Sequence, residues 1–157
     1  MSSWSERSRG YALLLVVAVV IFGLDHLTKW LVTQHLALDD SLGSSYPLSI
    51  HHVENRGAAF GFGPQFQWLY LIVAAGVSLY ILLAGYRFGT GWFRQVVLGL
   101  ILGGALGNAS DRVINGGGVT DFVNFHFWPV FNLADSAISV GVFLLIVGYL
   151  IRKPNAA

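Results

Sequence analysis

The sequence predicts an all-α membrane protein with four transmembrane helices and a small β-containing loop at the outer surface. Hydrophobic residues make up 55% of the 157 residues and charged residues only 11%, whereas soluble domains are about 25% charged. Four apolar stretches approach the roughly 20 residues needed to cross a hydrocarbon core. The length is typical of one domain, so we expect a single integral membrane domain over residues 1–157.

The predicted spans cover residues 11–32, 66–86, 94–114 and 132–151. Lipid-facing backbone must satisfy its own hydrogen bonds, and an α-helix does so within one segment. Arg7 and Arg9 followed by an apolar run are also typical of a secretory signal peptide, but no A-x-A-like cleavage site follows. We therefore expect the first span to stay in the protein.

The distribution of basic residues predicts the orientation of the bundle. Six of the nine Lys and Arg residues lie before span one, around the loop between spans two and three, or after span four: Arg7, Arg9, Arg87, Arg94, Arg152 and Lys153. In an even-numbered bundle these positions share one side, which the positive-inside rule assigns to the cytoplasm. We expect both termini to be cytoplasmic.

The predicted outer loops are residues 34–65 and 115–131. The first contains a β-branched and aromatic piece at 46–53, predicted as a short strand or two on the membrane surface, and a small-residue turn at 57–63. The second opens with three glycines at 116–118, which should end a helix.

Span three carries Gly99, Gly103 and Gly107 at four-residue spacing. Small residues at this interval allow helix backbones to approach closely, so we expect a packing face. A dinucleotide-binding loop is disfavoured, because the G-x-G-x-x-G pattern and a preceding strand are both missing.

Composition and motifs exclude several classes of function. A net charge of +1 provides no basic field for nucleic acid. The absence of cysteine excludes disulfides, thiolate zinc sites and a cysteine nucleophile. The five histidines form no H-E-x-x-H helix. His51 and His52 are adjacent on a predicted strand and should point to opposite faces, which argues against joint binding of a metal ion.

Acidic and amide groups from separate segments should converge on the outer part of the bundle. At about 1.5 Å per residue, Asp25 lies about 20 Å above a span that begins at Tyr11. The same rise places three further groups about 20–27 Å above the start of span three: Asn108, Asp111 and Arg112. Asp135 lies about one turn below the outer end of span four, and Asp121 lies in the loop above it.

Several of these groups are spaced as helical neighbours. Asp25 and Lys29 form an i,i+4 pair with the acid first, which is the favoured order. Asn108 and Arg112 share this spacing, and Asn132 and Asp135 are three positions apart. Because an unpaired charge in a membrane is costly, two interpretations remain open for Asp25 with Lys29 and for Asp111 with Arg112: structural clamps or functional groups.

Asp121 and Asp135 differ, because neither has a basic residue within four positions. If the two carboxyl groups approach each other, repulsion and desolvation raise the pKa of one, and the pair shares a proton. Such a pair can hydrolyse a peptide bond by acid and base catalysis. Intramembrane aspartates are also used by proton-carrying transporters, so the chemistry leaves both functions open.

Five motifs in this order resemble the lipoprotein signal peptidase (signal peptidase II) family, bacterial aspartyl peptidases of the inner membrane. They are residues 25–29 (DHLTK), 55–60 (NRGAAF), 104–112 (GALGNASDR), 119–122 (VTDF) and 131–136 (FNLADS). The resemblance covers nearly the whole chain.

The resemblance implies removal of the signal peptide from diacylglyceryl-modified prolipoproteins, just before the lipid-modified cysteine, at the outer face of the inner membrane. It implies Asp121 and Asp135 as catalytic residues. It implies that seven others bind substrate or support the site: Asn55, Asn108, Arg112, Asn132, Asp25, Lys29 and Asp111. The implied partners are prolipoproteins, membrane lipid and a globomycin-type inhibitor. Metal, organic cofactor and nucleic acid are not implied.

Two rival functions predict different patterns. A small transporter or channel should spread ionisable groups across the bilayer, whereas the inner halves of the four spans lack them. A non-enzymatic assembly subunit could pack through the glycine face of span three, but this interpretation assigns no role to Asp121 and Asp135.

Overall fold

A computed structural model describes residues 4–43, 46–57, 63, 66–85 and 91–151, with side chains from residue 11 onward. Within these residues the helices are α1 (Trp4–His35), α2 (Gln67–Ala84), α3 (Trp92–Ile114) and α4 (Leu133–Ile151). All four are long and apolar enough to cross a membrane, α1 over Tyr11–His35. The described residues thus confirm the predicted all-α membrane fold.

Helix α3 is the centre of the bundle. The buried share of its most apolar window is 56%, against 11–17% for the other three helices. A methyl group on Gly103 would lie 2.6 Å from the Ala18 carbonyl oxygen of α1, and one on Gly104 would lie 2.5 Å from that of Ala134 in α4. Backbones this close leave no room for a side chain, so the predicted glycine packing face is confirmed.

The apolar core lies where α1, α2 and α3 meet. Its members are almost completely buried. They are Leu14, Ala18, Ile81, Val97, Leu98, Ile101 and Leu102.

The glycines after α3 end the helix as predicted. The Asn115 amide donates to the Asp111 carbonyl, and the Gly117 amide donates to that of Arg112. Gly116 and Gly117 have φ angles of 62° and 105°, a region that side chains disfavour. The chain thereby reverses and enters a strand.

A three-stranded antiparallel sheet consists of β1 (Ser41–Leu42), β2 (Ser49–Asn55) and β3 (Val119–Asn124), in that order. Strand β2 falls where the aromatic and β-branched piece predicted one. Strand β3 was not predicted, because its partner β2 lies far away in the chain and local pattern does not show it. The register opposes Val53 to Asp121.

Two sequence predictions fall on residues whose placement is not described. The small-residue turn at 57–63 lies outside the described residues except for Gly57 and Gly63. Arg87, Arg152 and Lys153 also lie outside them, as do the side chains of Arg7 and Arg9. The orientation with both termini in the cytoplasm therefore stays a prediction.

Candidate active site

Asp121 and Asp135 lie on one cavity at the end of the bundle that carries the sheet. Asp121 is on β3 and only 2% exposed, and Asp135 is half-buried in the first turn of α4. The cavity has a volume of about 540 Å³. Asn55, Asn108 and Arg112 complete its polar end. Its apolar wall includes Trp128, Pro129, Val130, Phe131 and Ile138.

Asn132 connects the two carboxyl groups. Its side-chain Nδ2 donates to Asp121 Oδ1 at 2.6 Å, and its backbone amide donates to Asp135 Oδ2 at 3.3 Å. The Asp135 amide in turn donates to Asn132 Oδ1 at 2.9 Å. Asn132 is fully buried, so a residue held from both sides sets the relative position of the two acids.

Two further asparagines each donate to one carboxyl group. Asn55 Nδ2, at the end of β2, donates to the second oxygen of Asp121 at 2.9 Å. Asn108 Nδ2, on α3, donates to Asp135 Oδ1 at 2.7 Å. Each acid thus accepts two N–H groups, and none of these four contacts is from a cation.

The position of Asp121 changes its protonation. Burial, with a smaller contribution from the charge of Asp135, raises the pKa of Asp121 from 3.8 to about 7. The hydrogen bonds from Asn55 and Asn132 act in the opposite direction. A carboxyl group with this pKa can hold or release a proton near neutral pH, as acid and base catalysis requires.

An ion triad lies beneath the two acids. Lys29 Nζ is 2.6 Å from Asp25 Oδ2, as the i,i+4 spacing predicts, and 3.0 Å from Asp111 Oδ2 on α3. The ion pair of Asp111 is therefore with Lys29, which corrects the interpretation of Asp111 and Arg112 as a clamp. Adjacent positions on a helix diverge by about 100°, so Asp111 faces α1 while Arg112 faces the outer loops.

The triad also holds the backbone next to both acids. Asp111 Oδ2 accepts from the amide of Thr120, and Asp25 Oδ1 accepts from the amide of Ala134. These residues immediately precede Asp121 and Asp135. Lys29 Nζ also donates to Asn108 Oδ1 at 3.1 Å, which turns the Asn108 amide group towards Asp135. Asp25, Lys29 and Asp111 thus have structural contacts that lead to the site.

Arg112 joins the loops around the cavity. Its guanidinium group donates to the carbonyl oxygens of Gly57 at 2.6 Å and Gly117 at 2.8 Å. The ring of Tyr70 on α2 lies under it, 4.6 Å from ring centroid to Cζ. Sequence reasoning missed Tyr70, and no spacing signal could have found it, since α2 reads as a uniformly apolar span.

Among the described residues, no group of three or more His, Asp or Glu side chains could hold a metal ion. Three histidines of the outer region form separate hydrogen bonds: His51 with Ser41, His52 with the Leu36 carbonyl, and His126 with Ser49.

Comparison with known proteins found a matching family and similar relatives. The sequence model of a family described as signal peptidase (SPase) II matches residues 17–151. A lipoprotein signal peptidase of Halothermothrix orenii is 37% identical over 133 residues, which cover 84% of this chain and 91% of the relative. One from Salmonella newport is 37% identical over 151 residues, covering 90% and 89%.

Two solved structures share the fold. Both are described as bacterial membrane enzyme structures obtained by the in meso method, at 2.3 and 1.9 Å resolution. The TM-scores are 0.78 and 0.72, with 27% and 31% sequence identity. The matches cover 92% and 89% of this chain and 94% of each solved chain. Since the family consists of peptidases, the transporter and assembly-subunit interpretations are set aside. The chain belongs to the signal peptidase II family.

Proposed function

We propose that Asp121 and Asp135 are the catalytic pair of this lipoprotein signal peptidase. The chain removes the signal peptide from prolipoproteins, as its family membership shows. The observation that supports this pair is that Asn132 donates hydrogen bonds to both carboxyl groups at the polar end of the cavity.

The two acids divide the work of hydrolysis. Asp121, the deeper group, holds the shared proton and donates it to the oxygen of the scissile carbonyl. Asp135 accepts a proton from water as the water oxygen attacks the carbonyl carbon. The carbon–nitrogen bond then breaks while Asp135 returns its proton to the leaving amine. Asp121 regains a proton from a hydroxyl of the intermediate, which becomes the new carboxyl group.

The cavity has the shape and polarity that this substrate needs. From Asp135 its lining continues along α4 to Val140, about 7 Å further into the membrane-spanning helix. An apolar signal peptide could therefore extend from the bilayer to the acids. The wall formed by Trp128, Phe131 and Ile138 limits water around the reacting bond, which strengthens polar interactions there.

The proposal includes the orientation of the chain in the membrane. With both termini cytoplasmic, the sheet and the acids lie at the outer face of the bacterial inner membrane, in a single integral membrane domain. The acyl chains of the modified cysteine then remain in the outer leaflet, with the bond before that cysteine at the level of the acids. A globomycin-type cyclic peptide would compete for the same cavity.

The test is cleavage of a diacylglyceryl-modified prolipoprotein by the purified full chain, followed by gel shift. Wild type is compared with Asp121→Asn and Asp135→Asn, and with Asp40→Asn as a matched control at an exposed position. We expect cleavage by wild type and Asp40→Asn only. Cleavage by either folded site variant at the wild-type rate would refute the pair, and a folded wild type that never cleaves would refute the function.

A further inference from the structure

Helix α2 contacts a residue that lines the cavity, although none of its own residues does so. Its point of contact is Tyr70, whose ring lies 4.6 Å from the guanidinium carbon of Arg112. The Tyr70 hydroxyl donates to the carbonyl oxygen of Gly63 at 3.1 Å. The residue therefore contacts both the cation and the chain segment that leads into α2.

From Arg112 a continuous path of hydrogen bonds reaches Asp121. The guanidinium group holds the Gly57 carbonyl oxygen at 2.6 Å. The Gly57 amide donates to Asn55 Oδ1 at 2.9 Å, and Asn55 Nδ2 donates to Asp121 Oδ2, also at 2.9 Å. Each step connects groups that are adjacent in space but come from three elements and a loop.

The path decides which way the Asn55 amide group points. An asparagine presents an oxygen on one side and an NH₂ group on the other, so the partner of one fixes the other. While the Gly57 amide holds Oδ1, only Nδ2 can face Asp121. Displacement of Gly57 would release this constraint and remove one N–H donor from Asp121.

The Tyr70 ring restricts the orientation of the Arg112 side chain. A long guanidinium side chain at a cavity edge has many rotamers, and an aromatic face beneath it selects the stacked ones through cation–π attraction and contact. The selected orientation is the one that also bonds the carbonyl oxygens of Gly57 and Gly117.

We propose that Tyr70 is a positioning residue of the peptidase: its ring orients Arg112, which through Gly57 keeps the Asn55 amide group directed at Asp121. The inference rests on the proposed roles of Asp121 and Asp135. It assigns to α2 a function in catalysis besides crossing the membrane.

The experiment measures kcat/KM against pH for Tyr70→Leu, Tyr70→Met and Tyr70→Phe. The first two remove the aromatic face, whereas the third keeps it and loses the hydroxyl group with its bond to Gly63. Tyr80→Leu is the matched control, since Tyr80 lies ten positions further along α2, about 15 Å away. Thermal unfolding in detergent shows which variants are folded.

The Leu and Met variants should lower kcat/KM about five- to tenfold. They should also shift the alkaline limb of the profile to higher pH by about half a pH unit, because loss of an N–H donor raises the pKa of a carboxyl group. Tyr70→Phe should stay within about threefold of wild type with its limb unmoved, and Tyr80→Leu should match wild type. An unmoved limb in both folded Leu and Met variants would overturn the proposal, as would a Phe variant as impaired as Leu.

A double-mutant cycle separates the path from a general packing effect. In an Arg112→Lys background, which removes the planar guanidinium group, Tyr70→Leu should cause no further loss. A loss as large as in wild type would show that Tyr70 acts independently of Arg112 and would refute the path. Failure of the proposed function has a different signature, namely a wild type that does not cleave.

Discussion

Asn132 donates its side-chain N–H to Asp121 across 2.6 Å, which connects the residue before α4 to strand β3. The same residue exchanges backbone and side-chain hydrogen bonds with Asp135 three positions later. A single buried amide side chain thus connects a local helical turn to a distant strand. The relative position of the two acids depends on this residue.

Replacement of Asn132 by Leu should reduce kcat about 10²-fold or more, with less effect on KM, because misplacement of reacting groups affects mainly the chemical step. Steady-state kinetics on the purified variant measure this. Asn115→Leu, at an exposed position, is the control. A folded Asn132→Leu enzyme with wild-type kcat would contradict the bridging role.

The pH dependence of activity should have an alkaline limb near pH 7. Burial and the neighbouring charge of Asp135 raise the pKa of Asp121 to about 7, and the mechanism needs this proton. As the pH rises through this value the proton is lost, so kcat/KM should fall about tenfold per unit. A profile flat from about pH 6 to about pH 9 would show that Asp121 does not supply the acid.

Stability should depend on pH in the same range. The pKa of Asp121 is higher in the folded state than its ordinary value of 3.8. The contribution of the Asp121 carboxyl group to the free energy of unfolding is therefore fully present below about pH 4 and is lost as the pH rises through about 7. The loss is at most about 4 kcal/mol.

Asp121→Asn should consequently unfold at a higher temperature than wild type at pH 8 and differ less at pH 5. Thermal unfolding in detergent at both pH values, with Asp40→Asn as control, tests this difference. An equal shift at the two pH values would indicate an effect unrelated to ionisation.

Loss of the cation at Lys29 should be strongly destabilising. Lys29→Met leaves Asp25 and Asp111 buried without their partner, and breaking such an ion group costs about 3–5 kcal/mol. Adding Asp25→Asn and Asp111→Asn should restore much of the loss, because no unpaired charge remains. Thermal unfolding of the single and triple variants checks this, and a triple variant less stable than Lys29→Met would contradict the explanation.

The packing of α3 against α1 should tolerate no methyl group at Gly103. A Cβ there would lie 2.6 Å from the Ala18 carbonyl oxygen and 2.8 Å from Ile21 Cβ. We expect Gly103→Ala to cost about 1–3 kcal/mol. Gly76→Ala on α2 is the matched control, since nothing lies within 4 Å of its added Cβ. Equal unfolding temperatures for the two variants would refute close packing at Gly103.

Local patterns were sufficient for the spans and for one ion pair. Crossing a membrane requires about 20 apolar residues in one run, so composition along the chain reveals it. Asp25 and Lys29 are neighbours because a helix places positions i and i+4 on one face. The partner of Asp111 could not be read in this way, since Lys29 reaches it from another helix.

Hydropathy along the chain was enough to predict a four-helix membrane protein with polar groups at one end, and the motifs pointed to the family. How those groups meet depends on the tertiary structure. Strand β2 pairs with β3, so that Asn55 donates a hydrogen bond to Asp121, 66 positions away. Tyr70 packs against Arg112. This difference arises because helix periodicity and hydropathy relate residues that are near in sequence. Strand register and side-chain contacts between helices depend instead on the packing of the whole chain.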